Sequence, residues 1–175
     1  MDIVLNMAIS PNGLIARENG DEEWLPSEGW AEFVEEAKKF NNIVMGRETY
    51  EVVTRLYDDY NFDNVDAEHK VIVTSNVDFK APEGYTVVHS PEEAMNYIAS
   101  KELNTLFLIG GGKLNAEFLK RKLVNQIELT INPYIIGKGR SFIFPTEFDL
   151  PLELIEHKLI SGGRIYLKYK VRNTP

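Results

Sequence analysis

The stretch "TLFLIGGGKLNAEFLK", residues 105–120, decides the architecture. A short apolar run passes through Gly110, Gly111 and Gly112 into apolar residues at helical spacing. Adjacent glycines cost conformational entropy, so the backbone must turn unusually here or something must approach it closely. A strand leading through glycine into a helix puts unpaired N–H groups at the C-terminal edge of the strand. Parallel sheets bind anions such as a diphosphate at that place. A plain tight turn satisfies the same residues, and the motif alone leaves both readings open. It matches neither a P-loop, because Leu114 follows Lys113, nor the full dinucleotide fingerprint, because Asn115 stands where the third glycine belongs.

Working outward, "IVMGRETY" (43–50) repeats the order strand, glycine, helix. It adds Arg47 and Thr49 at the helix entrance, a guanidinium and a hydroxyl suited to phosphate oxygens. A third apolar run, "VIVTSN" (71–76), ends in Thr74 and Ser75. Strands are expected at 3–9, 42–46, 70–75, 85–88 and 105–110, where short β-branched runs are bounded by turn residues. Helices are expected between them. In "SEGWAEFVEEAKKF" (27–40), Ser27 is the expected cap, and Trp30, Phe33, Val34 and Ala37 share one face. Others are expected from near Glu48, after Ser90-Pro91, and from about Lys113 to Lys122. Alternation of this kind implies a largely parallel sheet covered on both faces. After Leu123 the pattern changes to "QIELTINPYII", a Gly-Lys-Gly turn, "SFIF", "LELIEHKLIS" and "RIYLKYKV", which reads as antiparallel with Gly162-Gly163 as the hairpin turn. The acidic stretch Asp58 to Glu68 reads as a solvated surface loop.

The 175 residues suit a single domain, and 43% hydrophobic content fills one core. No run of about 18 apolar residues is present, and the N-terminus lacks a signal-peptide pattern. A cytoplasmic protein without membrane contact is the expectation. With no cysteine and three scattered histidines, no metal site is expected. A net charge of −8 opposes nucleic-acid binding while leaving room for a local positive pocket.

Taken in order, "AISPNGLIA", "WLPSE", "VMGRETYE", "VIVTS", "LIGGGKL" and "ELTINPYIIGKGRSFIFP" resemble the dihydrofolate reductase superfamily along nearly the whole chain. The first and last resemble most the reductase domain of riboflavin biosynthesis. The resemblance implies an α/β fold with a mostly parallel central sheet, flanking helices and an antiparallel C-terminal hairpin. It also implies NADPH as cofactor and reduction of a small heterocyclic or ribosylamino-type substrate; a non-catalytic NADP-binding sensor or assembly module is the alternative. By the same resemblance Gly46, Arg47 and Thr49 hold phosphates, and Thr74, Ser75 and Lys113 surround the adenosine end. Gly110, Gly111 and Gly112, running into Leu114, cradle the diphosphate, and Ala8 with the loop Gly13, Leu14 and Ile15 flanks the nicotinamide. Glu28 falls near the family's substrate carboxylate, with Thr130 beside it; a charge favouring the helix N-terminus explains Glu28 equally well. Asn12 and Gly110 stand where the riboflavin enzymes carry Asp and Glu, and no arginine precedes the third strand, so neither ribosyl phosphate nor folate is implied. A homodimer is expected from the apolar residues of "INPYIIGKGRSFIF".

Overall fold

The computed structural model describes residues 1–58 and 61–172. The five expected strands form as β1 (Asp2–Ile9), β3 (Asn42–Gly46), β4 (His69–Val73), β5 (Tyr85–Val88) and β6 (Thr105–Leu108). With β7 (Gln126–Ile131), β9 (Leu152–Ile160) and β10 (Arg164–Val171) they make an eight-stranded sheet in the order β5-β4-β3-β6-β1-β7-β10-β9. Every neighbouring pair from β5 to β7 is parallel, and β10 then runs antiparallel to both β7 and β9. The change to an antiparallel ending therefore comes at β10, not at "QIELTI": β7 pairs in parallel with β1 from Val4↔Gln126 to Ile9↔Ile131. Gly162 and Gly163 both have φ near +71°, the left-handed geometry that a tight hairpin requires and that only glycine enters freely.

Helices α1 (Ser27–Phe40), α2 (Arg47–Leu56), α3 (Pro91–Ser100) and α4 (Gly112–Lys120) cover the two faces. On one face Trp30, Phe33 and Val34 of α1, with Ala37, pack with Tyr50 and Val53 of α2 against Val4, Ile43, Met45 and Phe107. On the other, Ala94 and Ile98 of α3 and Leu114, Phe118 and Leu119 of α4 meet Ile3, Leu5, Leu106 and Leu108. Alternation along β1 thus feeds both cores, as expected of a strand buried on two sides. Ser27 is not the cap of α1: Pro26 holds that place and no side chain caps the helix, so its first turn relies on the fixed φ of proline. Ser90 does cap α3, accepting from the Glu93 N–H at 3.1 Å.

Two further departures follow from tertiary packing. The acidic stretch is not merely solvated: Phe62, Val65 and Ala67 are buried against α1 and β4, while Asp58, Asp63, Asn64, Asp66 and Glu68 are exposed. Asp59 and Tyr60 of that stretch lie outside the described residues. A small antiparallel ribbon of β2 (Leu14–Arg17) and β8 (Gly139–Ser141) takes the place of the expected strand "SFIF", whose Phe142 to Phe144 form a loop. Gly139 permits the ribbon, because a Cβ there would stand 2.2 Å from the Ala16 carbonyl oxygen.

Candidate functional site

Two strand-to-helix turns meet at the C-terminal ends of β3 and β6. The Gly46 N–H donates to the Gly110 carbonyl at 2.8 Å and locks them together. Gly110 sits at φ +95°, and the Gly110–Gly111 peptide is cis. A Cβ on Gly111 would lie 2.8 Å from Thr49 Oγ1, and one on Gly112 would lie 2.2 Å from the Ser141 carbonyl oxygen. What approaches the glycine run is therefore partly the chain itself: the Phe144 N–H donates to the Gly112 carbonyl at 2.9 Å. Neither α2 nor α4 has a side-chain cap, and first-turn residues of both line the same cleft.

That cleft has a volume of about 1720 Å³, larger than the few hundred to about 1,000 Å³ typical of one small ligand, so it has room for two. Ala8, Ile15, Gly46, Arg47, Thr49, Thr74, Ser75, Gly111, Gly112, Lys113, Leu114 and Thr130 all line it. Gly13, Leu14 and Gly110 do not reach the lining; they shape it from behind. Leu14 N donates to Ser10 Oγ at 3.0 Å, and the Gly13 carbonyl receives the Phe142 N–H at 3.1 Å. Glu28 stands apart. It is exposed on the first turn of α1, outside the lining, and its partner is Ser27 Oγ at 3.5 Å. One turn on, Glu32 does face the cleft. The helix presents Gly29, Trp30 and Glu32 to the cleft and turns Glu28 to solvent.

At the β3–β6 end the cleft is cationic. Arg47 grips Glu51 through both carboxylate oxygens at 2.8 and 2.9 Å and lies over the Phe79 ring. Lys113 reaches Glu48 at 2.7 Å, and this hydrogen bond, aided by the Arg140 and Arg47 charges, holds the Glu48 carboxyl below the usual carboxylate range. These are surface pairs, each worth at most about 1 kcal/mol, so a phosphate can displace them. Arg140, on β8, is a cleft residue that the sequence reading missed. No local signal marks it; the ribbon pairing carries it there.

The other end rests on the sheet face beyond α1, where register places side chains in rows. Ala8, Thr130, Tyr166 and Lys158 form one row, and Asn6, Glu128, Lys168 and Glu156 the next. All eight line the cleft. Glu128 is almost fully buried and accepts from Gln126 Nε2 at 2.6 Å and Asn6 Nδ2 at 3.2 Å, with Lys168 Nζ at 3.3 Å. Burial, with the Glu128 charge beside it, pushes the Tyr166 hydroxyl up. At the hairpin end Arg164, 2% exposed, donates to both oxygens of Glu32 at 2.8 Å and to the Ser161 carbonyl at 2.9 Å. Among the described residues no group of three or more His, Asp or Glu is arranged to hold a metal. None of the described helices is long and apolar enough to cross a membrane.

A mostly parallel central sheet flanked by helices and ending in an antiparallel hairpin is the dihydrofolate reductase-like fold. The RibD C-terminal domain model matches residues 2–166, and the chain belongs to that family. It is similar to the protein YyaP of Bacillus subtilis (strain 168), named as uncharacterized, at 21% identity over 95% of this chain and 93% of that protein. A Shewanella sp. PV-4 structure, provisionally named a riboflavin biosynthesis protein, superposes with a TM-score of 0.82 at 21% identity, covering 99% of this chain and 100% of that one. Dihydrofolate reductase from Enterococcus faecalis, solved with NADP(H), superposes with a TM-score of 0.73 at 21% identity, covering 98% and 97%. At such identities the structural likenesses speak for the fold.

Proposed function

We propose that this chain is an NADPH-dependent reductase acting on a small heterocyclic or ribosylamino-type substrate. The observation that carries the reading is the convergence of two uncapped helix N-termini, those of α2 and α4, on one cleft whose rim bears Arg47, Lys113 and Arg140. Such N–H groups, with the positive helix ends and nearby guanidinium and ammonium groups, favour a phosphorylated ligand. The residues fit NADPH. Arg47, Thr74, Ser75 and Lys113 stand around the β3–β4 end, where the adenosine and its 2′-phosphate would lie. Ala8 and Ile15 line the cleft toward the sheet-floor end, where the nicotinamide would meet substrate.

When bound, the cofactor supplies the hydride. The protein orients the reacting ring against the Ala8–Thr130 row and excludes water beneath α1. With Glu28 outside the cleft, a proton can reach substrate from solvent, while Glu32, fixed by Arg164, offers an acceptor for substrate N–H groups. The same placement favours one second reading, a module that binds NADP without turnover.

Calorimetry tests the proposal without a known substrate. NADPH should bind more tightly than NADH, and Arg47→Ala should cost roughly 1.5–3 kcal/mol for NADPH and less for NADH. Equal affinities for the two nucleotides would remove the 2′-phosphate assignment, and binding of neither would overturn the reductase reading. NADPH binding without oxidation across a panel of pterins and pyrimidines would favour the non-catalytic module.

A further inference from the structure

The two ends of the cleft differ in charge balance. At the glycine-turn end Arg47, Lys113 and Arg121 are paired with Glu51, Glu48 and the Glu92 and Glu117 carboxylates in turn, whereas Arg140 donates only to the Glu18 main-chain carbonyl, so one lining cation there meets no carboxylate. At the sheet-floor end every lining cation is closed onto a carboxylate of the chain itself. Lys158 lies 2.6 Å from Glu156, Lys168 lies 3.3 Å from Glu128, and Arg164 meets Glu32 at 2.8 Å. Lys39 is likewise paired with Glu36, and Glu35 adds a further negative charge to the lining. Burial rises along one row. The side chains of Glu156, Lys168 and Glu128 are 38%, 29% and 7% exposed, so the innermost pair lies where charge is least screened.

From this balance we infer that the sheet-floor end selects an uncharged, hydrogen-bonding ring and rejects substrates that carry a phosphate or a carboxylate. The inference rests on the reductase reading for the placement of cofactor at one end and substrate at the other. An incoming anion would find no unpaired cation and would have to compete with an internal carboxylate for each one. It would also bring its charge close to Glu32, Glu128 and Glu156. An uncharged ring meets none of these costs. Thr130, Tyr166, Asn6 and the carboxylates themselves offer it donors and acceptors on one surface, in two rows set by strand register. Phosphate therefore belongs to the cofactor end alone. The specificity-determining groups are the carboxylates that occupy the lysines, Glu156 at the rim and Glu128 within.

The test uses protein first shown to bind NADPH and then saturated with it. Pterin, folic acid and ribose 5-phosphate are titrated by calorimetry at low ionic strength and near-neutral pH. Pterin should bind at least tenfold more tightly than either anionic probe. Glu156→Gln is a half-buried change on the edge strand β9. It should raise affinity for ribose 5-phosphate at least threefold by releasing Lys158, and added salt should abolish the gain. Folic acid or ribose 5-phosphate binding as tightly as pterin would overturn the inference, as would a Glu156→Gln variant with no gain for the phosphate. Failure of all three probes to bind the NADPH-saturated protein would likewise overturn it while leaving the cofactor reading intact. Failure to bind NADPH at the outset would instead bring down the reductase reading itself.

Discussion

Gly112→Ala should destabilise the protein through a backbone collision. A Cβ at this position would stand 2.2 Å from the Ser141 carbonyl oxygen and 3.3 Å from the Phe144 nitrogen. Both are main-chain atoms, held by the β2–β8 ribbon and by the Phe144 N–H to Gly112 hydrogen bond of 2.9 Å, so no side-chain rotation relieves the contact. Overpacking of this kind costs about 1–3 kcal/mol, and loss of the hydrogen bond adds about 0.5–1.5 kcal/mol. Against this, alanine restricts the unfolded chain and returns about 0.4–1 kcal/mol. The net loss is about 0.5–4 kcal/mol, or a fall in Tm of roughly 1–16 °C for a chain of this size. Gly137→Ala is the control, since a Cβ there meets nothing within 4 Å. Thermal unfolding followed by circular dichroism, with urea titration for the free energy, measures both. A Gly112→Ala variant as stable as Gly137→Ala would refute the claim that the segment 141–144 presses on the glycine run.

Tyr57 donates to Asp21 at 3.2 Å, accepts from the Glu22 N–H at 2.6 Å, and is pushed up to about 12 chiefly by burial. A phenol raised in the folded state lends its full stability below the unfolded value near 10 and loses it as pH climbs toward 12, so Tyr57→Phe should flatten the stability profile in that window of alkaline urea titrations. Exposed Tyr134, Ile135, Leu154, Ile155 and Leu159 lead us to expect a homodimer. Light scattering should give about 40 kDa, twice the 20.0 kDa chain mass, and a steady 20 kDa across micromolar concentrations would end that expectation.

The parallel strands were legible because each is a short β-branched run bounded by turn residues, and burial on both faces demands that composition. The helices were legible from period and, for α3, from Ser90-Pro91. What escaped reading depends on partners distant in sequence. Arg164 and Glu32 lie 132 residues apart and meet only after β10 has docked beside β7. The Lys168–Glu128 contact requires the antiparallel register of those same strands, which the alternation of "RIYLKYKV" leaves free to slide. Arg140 enters the cleft only because Gly139 lets β8 press on Ala16. Phe142 to Phe144 read as a strand because apolar residues favour one, yet their backbone is spent on Gly13 and Gly112. Glu28 and Glu32 differ by one turn of one helix, and no pattern in the sequence says which of them the hairpin arginine claims.

The position of β1 at the middle of the sheet bears on how the molecule assembles. Its neighbours are β6, from residue 105, and β7, from residue 126, so the strand earliest in chain order is flanked by pieces more than a hundred residues away. Until both arrive, Ile3, Val4 and Leu5 have no place to bury their side chains, and both edges of the strand lack hydrogen-bond partners. Closing such long loops is entropically slow, and contacts of this range lower folding rates. The β3–β4–β5 half is built from nearer neighbours and can form first as a docking surface for α1 and α2. The last event is then the insertion of β1 into a waiting slot, a step during which an unpaired apolar strand is open to capture by chaperones or by other unfinished chains.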